Sequence, residues 1–301
     1  MDEQYRRQVA LLVRILPYVA EERCFALKGG TAINLFIRDL PRLSVDIDLT
    51  YLPVENRSQS LRSIDAALSR IENRLLESVP AIRVYQGRLP QENVINKLYV
   101  RERNVQIKIE VTPVLRGCVY ESSDRSVTKT VEENFGFSVN QVLSIADLYA
   151  GKLIAALHRQ HPRDLFDIRD MLLTEGVDDK MRIAFVVYLI SHHRPIATLL
   201  SPARRDISRE FTRGLVGLVQ NPIALDELVQ VRETLIAELV GQMPVAHRQF
   251  LLTFQKCNPD WSLLGVKHVR TLPAIRWRMK KLSLMDEIER ADHIAQLESI
   301  I

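Results

Sequence analysis

The chain has 301 residues, of which 47% are hydrophobic and 26% are charged. This composition supports a globular core and excludes a disordered or fibrous protein. The net charge of +4, from 41 basic and 37 acidic side chains, permits a polyanionic partner without requiring one.

The first predicted element is an amphipathic helix over residues 4–21. Its apolar run, VALLVRILPYVA, is interrupted by Arg14 and Pro17, which argues against a signal peptide or a membrane span. Three widely spaced cysteines, Cys24, Cys118 and Cys257, form no CxxC pair. We therefore expect a reducing, cytoplasmic location and no membrane partner.

A double glycine follows in the segment LKGGTAINLF. Gly29 and Gly30 permit a close backbone approach, and Thr31 is predicted to cap a helix over residues 32–39. Free backbone N–H groups at such a turn can receive an anion such as a triphosphate. An ordinary strand-to-helix turn explains the glycines equally well.

The segment over residues 44–51 alternates apolar and polar residues, which predicts a half-buried strand. Asp46 and Asp48 then share one face, about 7 Å apart at the backbone. Two carboxylates at this spacing suit Mg²⁺, which binds one or two protein carboxylates and keeps other positions for water and substrate phosphates. A solvated strand face is the competing explanation.

A helix is predicted over residues 58–76, and the segment NVQIKIEVT predicts a second alternating strand over residues 104–112. Its polar face carries Glu110, which would join Asp46 and Asp48 if the two strands are neighbours. Three carboxylates can hold two metal ions, and Glu110 would then assist deprotonation of the attacking hydroxyl. Alternatively, Glu110 is an exposed charge that protects an edge strand.

Strand patterns become rare after about Val142, and the remaining segments have helical periodicity. The sequence therefore predicts an α+β protein with a first domain over residues 1–135 and a helical domain over residues 136–301.

Two motifs support a resemblance to a known family. KGGTA followed by RLSVDIDL resembles motif I of the DNA polymerase β-like nucleotidyltransferases. Its R-x-S-x-D-x-D form resembles the AbiEii/AbiGii toxins, a family that includes the MenT-type toxins of type IV toxin-antitoxin systems. The resemblance implies a nucleotidyltransferase domain with a mixed sheet, followed by an all-α domain that completes the active site.

The segment DLYAGKLIAALHRQHPRDLFDIRDML, residues 147–172, is similar to later motifs of that family. It implies a phosphate-contacting role for Lys152 and a catalytic or positioning role for Asp164 or Asp167, without deciding between the two. Lys152 and Arg159 also lie on one predicted helix face, where they could approach triphosphate oxygens. A solvated helix surface explains the same charges without the resemblance.

The aspartate pair and the glycine turn predict transfer of a nucleotide from an NTP with Mg²⁺ or Mn²⁺ as cofactor, and the resemblance implies RNA as the acceptor, in particular the 3′ end of tRNA. Gly29, Gly30, Thr31 and Ser44 would hold the triphosphate, and Lys152 would neutralise the leaving pyrophosphate. The protein would act as a toxin with a cognate antitoxin. The alternatives are a protein or small-molecule acceptor, or a non-catalytic regulator that binds nucleotide or RNA.

Two further groups of residues lie in the helical half. The segment IRWRMKK interleaves Trp277 with basic residues, which suits either RNA binding or a surface helix with a half-buried tryptophan. The histidines His158, His161, His192 and His193 lack the spacing of a metal motif and are predicted to be surface residues.

Overall fold

The computed structural model describes residues 3–301. The chain forms two compact units. The first runs to Ser144 and includes Val216–Pro222; the second comprises Ile145–Leu215 and Ile223–Ile301.

The first unit is built on a seven-stranded mixed sheet. Its strands are β1 (Phe25–Lys28), β2 (Asp46–Tyr51), β3 (Ile82–Arg88), β4 (Ile95–Glu102), β5 (Val105–Val111), β6 (Ser123–Ser126) and β7 (Val139–Val142). Its helices are α1 (Glu3–Ala20), α2 (Gly29–Ala32, continued by a π-helical turn over Ile33–Ile37), α3 (Arg57–Ser78) and α4 (Lys129–Phe135).

The strand order is β3-β4-β5-β2-β1-β7-β6. β2 is antiparallel to β1 and parallel to β5, which places the two predicted strands side by side at the centre of the sheet. α1 packs against β5 and β7, and α3 packs against β3 and β4. The apolar residues of β2 and β5 are buried, as in Ile47 and Ile109. The polar residues between them therefore point to the opposite face of the sheet.

The second unit is helical. Its helices are α5 (Ile145–Arg159), α6 (Pro162–Thr174), α7 (Asp179–Ser191), α8 (Ile196–Leu200), α9 (Ser208–Gly214), α10 (Leu225–Ile236, continued by a π-helical turn over Ala237–Gly241), α11 (Val245–Gln255), α12 (Pro273–Ser283) and α13 (Glu287–Glu298). Two short 3₁₀ turns cover Trp261–Leu263 and Lys267–Thr271. Of the helices within residues 3–301, none has the length and apolar character needed to cross a membrane.

The predicted α+β class is confirmed, as are the helical character of the second half and the strands at residues 46–51 and 105–111. The sequence did not predict β1, β3, β4, β6 or β7. The first domain was predicted to end at residue 135. β7 lies after that residue and pairs with β1 and β6 of the sheet.

Candidate active site

The acidic residues predicted to converge lie on adjacent strands. In the parallel pairing of β2 with β5, Asp48 is opposite Glu110 and Asp46 is opposite Lys108. Because side chains alternate along a strand, Asp46, Asp48 and Glu110 all belong to the polar face of the sheet. The side chain of Asp46 is 44% exposed, so solvent and a ligand can reach it.

Two lysines flank Glu110. Lys97 Nζ lies 3.0 Å from Glu110 Oε1, and Lys108 Nζ lies 2.6 Å from Oε2. Burial alone would raise the pKa of Glu110, but these two ammonium groups hold it below its usual value. Glu110 is therefore a carboxylate with both oxygens engaged, which makes it a weak base in this arrangement.

The same face carries a row of charged residues across four neighbouring strands, with a lysine at each end and two carboxylates between them. Lys28 on β1 is opposite Asp48 on β2, Asp48 is opposite Glu110 on β5, and Glu110 is opposite Lys97 on β4. Lys28 Nζ donates a hydrogen bond to Thr112 Oγ1 at 3.0 Å. Burial lowers the pKa of Lys28, and the charges of Asp48 and Glu110 oppose this shift. Each carboxylate of the row thus has a cationic neighbour.

Asp46 and Asp48 are the residues whose chemistry fits a divalent cation. Their oxygens are hard ligands on one half-exposed face, and two carboxylates are enough for Mg²⁺ when water and phosphate oxygens complete the coordination. Over residues 3–301, no group of three or more His, Cys, Asp or Glu side chains is placed to hold a metal ion. Glu110 is held by its lysines, so its place as a third ligand stays a prediction.

The double glycine packs directly against this face. Gly29 has φ +72°, a left-handed conformation that side chains rarely adopt, and a Cβ atom there would lie 2.7 Å from Asp48 Oδ2. A Cβ atom on Gly30 would lie 2.7 Å from Arg42 Nη2 and 2.9 Å from Ser44 Oγ. Only glycine lets the turn approach both the carboxylate and the Ser44 hydroxyl this closely.

Thr31 does not cap the helix, contrary to the prediction. The helix begins at Gly29 and its N-cap residue is Lys28, so Thr31 lies within it. The Thr31 hydroxyl is buried, lies 3.0 Å from Ser44 Oγ and donates a hydrogen bond to the carbonyl oxygen of Asp46. Thr31 therefore holds Ser44 and the start of β2 in place, while Ser44 is the more accessible hydroxyl.

The sequence interpretation assigned no role to four cations of this site. Arg42 is buried beside Gly30, and its Nη1 donates to the carbonyl oxygen of Leu43 at 2.9 Å. Lys28 and Arg42 belong to the two quoted motifs, and Lys108 alternates with Glu110, so their positions could have been predicted. Lys97 could not, because it lies on the unpredicted strand β4.

In the helical unit, Lys152, Asp164 and Asp167 form a buried ionic cluster. Lys152 Nζ lies 3.0 Å from Asp164 Oδ1 and 2.9 Å from Asp167 Oδ2. Arg159 Nε lies 2.6 Å from Asp164 Oδ2, and the Arg159 side chain is 61% exposed. Burial would raise the pKa of Asp164, but Lys152 and Arg159 hold it well below its usual value. The cluster links α5 to the first turns of α6, which begins at Pro162 as predicted.

Comparison with known proteins agrees with these features. A sequence model of the family described as nucleotidyl transferase AbiEii toxin, type IV toxin-antitoxin system, matches residues 10–280. Among solved structures, the chain is similar to MenT4, a nucleotidyltransferase toxin from Mycobacterium tuberculosis, with 16% sequence identity and a TM-score of 0.60. That match covers 93% of this chain and 95% of the other, and it shows a shared fold. No curated protein matches the chain.

Proposed function

This chain belongs to the AbiEii family of nucleotidyltransferase toxins of type IV toxin-antitoxin systems, and from that premise we propose that it transfers an NMP from an NTP to RNA, in particular to the 3′ end of tRNA. Family membership implies an NTP substrate and an antitoxin. The observation that supports catalysis by this chain is the Asp46–Asp48 pair on β2 beside a glycine turn that contacts Asp48.

Each element of the polar sheet face has a proposed role. The backbone N–H groups of Gly29 and Gly30 and the Ser44 hydroxyl would hold the triphosphate, with Thr31 positioning Ser44. Asp46 and Asp48 would hold Mg²⁺ or Mn²⁺. When bound, such an ion supplies charge screening of the triphosphate and activation of the attacking hydroxyl.

Glu110 would receive the proton of the attacking hydroxyl, at Oε2. In the described arrangement Lys108 and Lys97 engage its oxygens, but triphosphate oxygens are competing acceptors for both ammonium groups. The hydroxyl oxygen then bonds to the α-phosphorus, the bond from that phosphorus to the β-phosphate bridging oxygen breaks, and pyrophosphate leaves. Placement and charge stabilisation account for this chemistry without a covalent protein intermediate.

The charge balance of the face has a consequence for metal binding. Because Lys28, Lys97 and Lys108 already neighbour the carboxylates, the divalent ion is expected to bind mainly together with the triphosphate. The melting temperature should therefore rise more when Mg²⁺ and a non-hydrolysable NTP are added together than when either is added alone.

The test is a transfer assay with each of the four α-labelled NTPs, Mg²⁺ or Mn²⁺, and total tRNA, alongside protein and small-molecule acceptors. We expect the label to appear on RNA and to be lost when a chelator is added.

Asp46→Asn and Asp48→Asn should lower transfer by roughly 10²-fold or more with little change in melting temperature. Asp124→Asn, which removes an exposed carboxylate of β6, is the matched control. Label on protein alone would refute the RNA acceptor, and full activity in both β2 variants would refute the site.

A further inference from the structure

Three histidines that the sequence placed separately on the surface come together in the helical unit. His158 lies in the last turn of α5, and His192 and His193 follow α7. The ring centroids of His192 and His193 are 4.4 Å apart with the rings stacked, and His158 lies 4.9 Å from His192 and 6.0 Å from His193. Within the described part of the chain they do not form a metal-binding group.

Cations surround these rings. The pKa of His158 is lowered by burial and by the charges of its neighbours, which are Arg194, His193, Arg205 and Arg159. Burial together with neighbouring histidines and arginines lowers the pKa of His192 to about 4. The arginine charges oppose protonation of the rings, and an anion bound among them would relieve that repulsion.

Hydrogen bonds from a buried arginine fix the segment that carries two of the rings. Arg278, 4% exposed, donates to the carbonyl oxygens of His193 at 3.1 Å and Arg194 at 3.2 Å. His192 Nδ1 accepts a hydrogen bond from the Arg194 N–H at 3.2 Å, so Nε2 carries the proton of the neutral ring. Arg278 of the IRWRMKK segment therefore serves this loop and is not a surface cation.

A second loop, which carries Arg205, is held in the same way beside the end of α5. The Arg205 N–H donates to Gln160 Oε1 at 3.1 Å, and its carbonyl oxygen accepts from Arg232 Nη1 at 2.9 Å. Arg232 also donates to Gln160 Oε1 at 3.1 Å, and both Gln160 and Arg232 are buried. The exposed guanidinium groups of Arg194 and Arg205 thus start from anchored backbone.

We propose that His158, His192, His193, Arg194 and Arg205, the histidine–arginine patch, form a docking surface for the backbone phosphates of the RNA acceptor. This inference rests on the proposed function for the identity of the acceptor. Guanidinium groups bind phosphate oxygens with two parallel hydrogen bonds, and imidazole rings can donate to phosphate or stack on unpaired bases. Arg159 is excluded from the patch because it is bonded to Asp164.

The first test is binding of fluorescently labelled tRNA without NTP, followed by anisotropy over a range of salt. Arg194→Ala combined with Arg205→Ala should weaken binding at least about tenfold at moderate salt. The slope of the logarithm of the binding constant against the logarithm of the salt concentration should become shallower by roughly 1.4, because each single-strand phosphate contact contributes about 0.7. The matched control combines Lys129→Ala with Lys256→Ala, which removes two exposed charges elsewhere and should have at most about a twofold effect. Circular dichroism of all variants checks folding.

The second test uses pH. A bound phosphate raises the pKa of a neighbouring histidine, and the pKa of His192 is about 4 without a ligand. Binding should therefore take up protons and tighten as the pH falls through the pKa of the complex toward that value. His192→Gln combined with His193→Gln should flatten this dependence, whereas the Lys129 and Lys256 control should keep it.

Two outcomes overturn the inference. One is a wild-type protein that does not bind RNA, and the other is patch variants whose affinity and salt dependence match the control. These outcomes are separable from failure of the proposed function. If the wild type labels only protein while the patch variants still lose RNA binding, the RNA acceptor is refuted and the patch remains an RNA-binding surface without an acceptor role. If RNA is labelled and patch variants keep wild-type binding, only the docking surface is refuted.

Discussion

Replacing Lys152 with methionine removes an ammonium that contacts two buried carboxylates. Lys152 Nζ is 3.0 Å from Asp164 and 2.9 Å from Asp167, whose side chains are 2% and 1% exposed. Removing one partner of a buried ion pair typically costs ~3–5 kcal/mol, because the remaining charge stays desolvated and unpaired. For a unit of this size, that loss corresponds to a drop of roughly 6–20 °C in melting temperature.

Tryptophan fluorescence during urea unfolding measures this loss selectively. The chain has two tryptophans, Trp261 and Trp277, and both lie in the helical unit. The matched control is Lys256→Met, because Lys256 and Glu298 form an ion pair at 3.5 Å with side chains 52% and 50% exposed. An exposed pair of this kind contributes ~0–1 kcal/mol, so the control midpoint should hardly move.

The double variant Lys152→Met with Asp167→Asn separates a structural from a catalytic role. It removes both charges together, while Arg159 still binds Asp164, so most of the lost stability should return. If Lys152 serves only the fold, RNA labelling should return with stability. If Lys152 handles the leaving pyrophosphate, labelling should stay low. A Lys152→Met midpoint equal to that of Lys256→Met would refute the structural reasoning.

Three further changes test the sheet unit. Gly29→Ala should lower the free energy of unfolding by ~1–2 kcal/mol because its backbone is left-handed, and it should also lower transfer because its Cβ atom displaces Asp48. The control is Gly136→Ala, whose backbone has φ +106° and whose Cβ atom would lie in open space; it should lose stability and keep activity. Glu22→Gln should destabilise this unit by ~1.5–3 kcal/mol at pH 7, because burial would raise the pKa of Glu22 but two arginines hold it below its usual value of 4.5. That contribution is present above the unfolded pKa and is lost as the pH falls through the folded one, so in far-UV circular dichroism the variant and the wild type should converge in acid. Lys108→Met, which removes a partly exposed neighbour of Glu110, should raise the KM for NTP several-fold with a stability change within ~1 kcal/mol; an unchanged KM would contradict its phosphate-binding role.

The sequence predicted those elements whose own pattern determines them. β2 and β5 alternate apolar and polar residues, so a period of two identified both strands and the shared face of Asp46 and Asp48. β1, with the short sequence FALK, is too uniform to show a period. β6, with the sequence SDRS, has no apolar face and depends on its pairing with β7. Strands of this kind are set by tertiary contacts that local sequence does not contain.

In the candidate site, too, only the features with a local sequence pattern could be predicted. The aspartate pair and the glycine turn follow from strand alternation and from the backbone freedom of Gly29. The contact between Lys97 and Glu110 does not, because Lys97 reaches Glu110 only through the register of β4 with β5. The contact of Gly30 with Arg42 likewise depends on how the loop before β2 returns to the turn.

Burial distinguishes the two ionic clusters of this protein. Lys97 and Lys108 have side chains 33% and 27% exposed, and ion pairs reached by water contribute little to stability. Phosphate oxygens can therefore replace Glu110 as their partners at small cost. Lys152 lies buried between its two aspartates, and leaving a buried partner unpaired costs ~3–5 kcal/mol, so an exchange there would have to offset a much larger loss. We therefore expect the sheet face to bind and release the triphosphate, and the Lys152 cluster to hold α5 against α6 throughout the reaction.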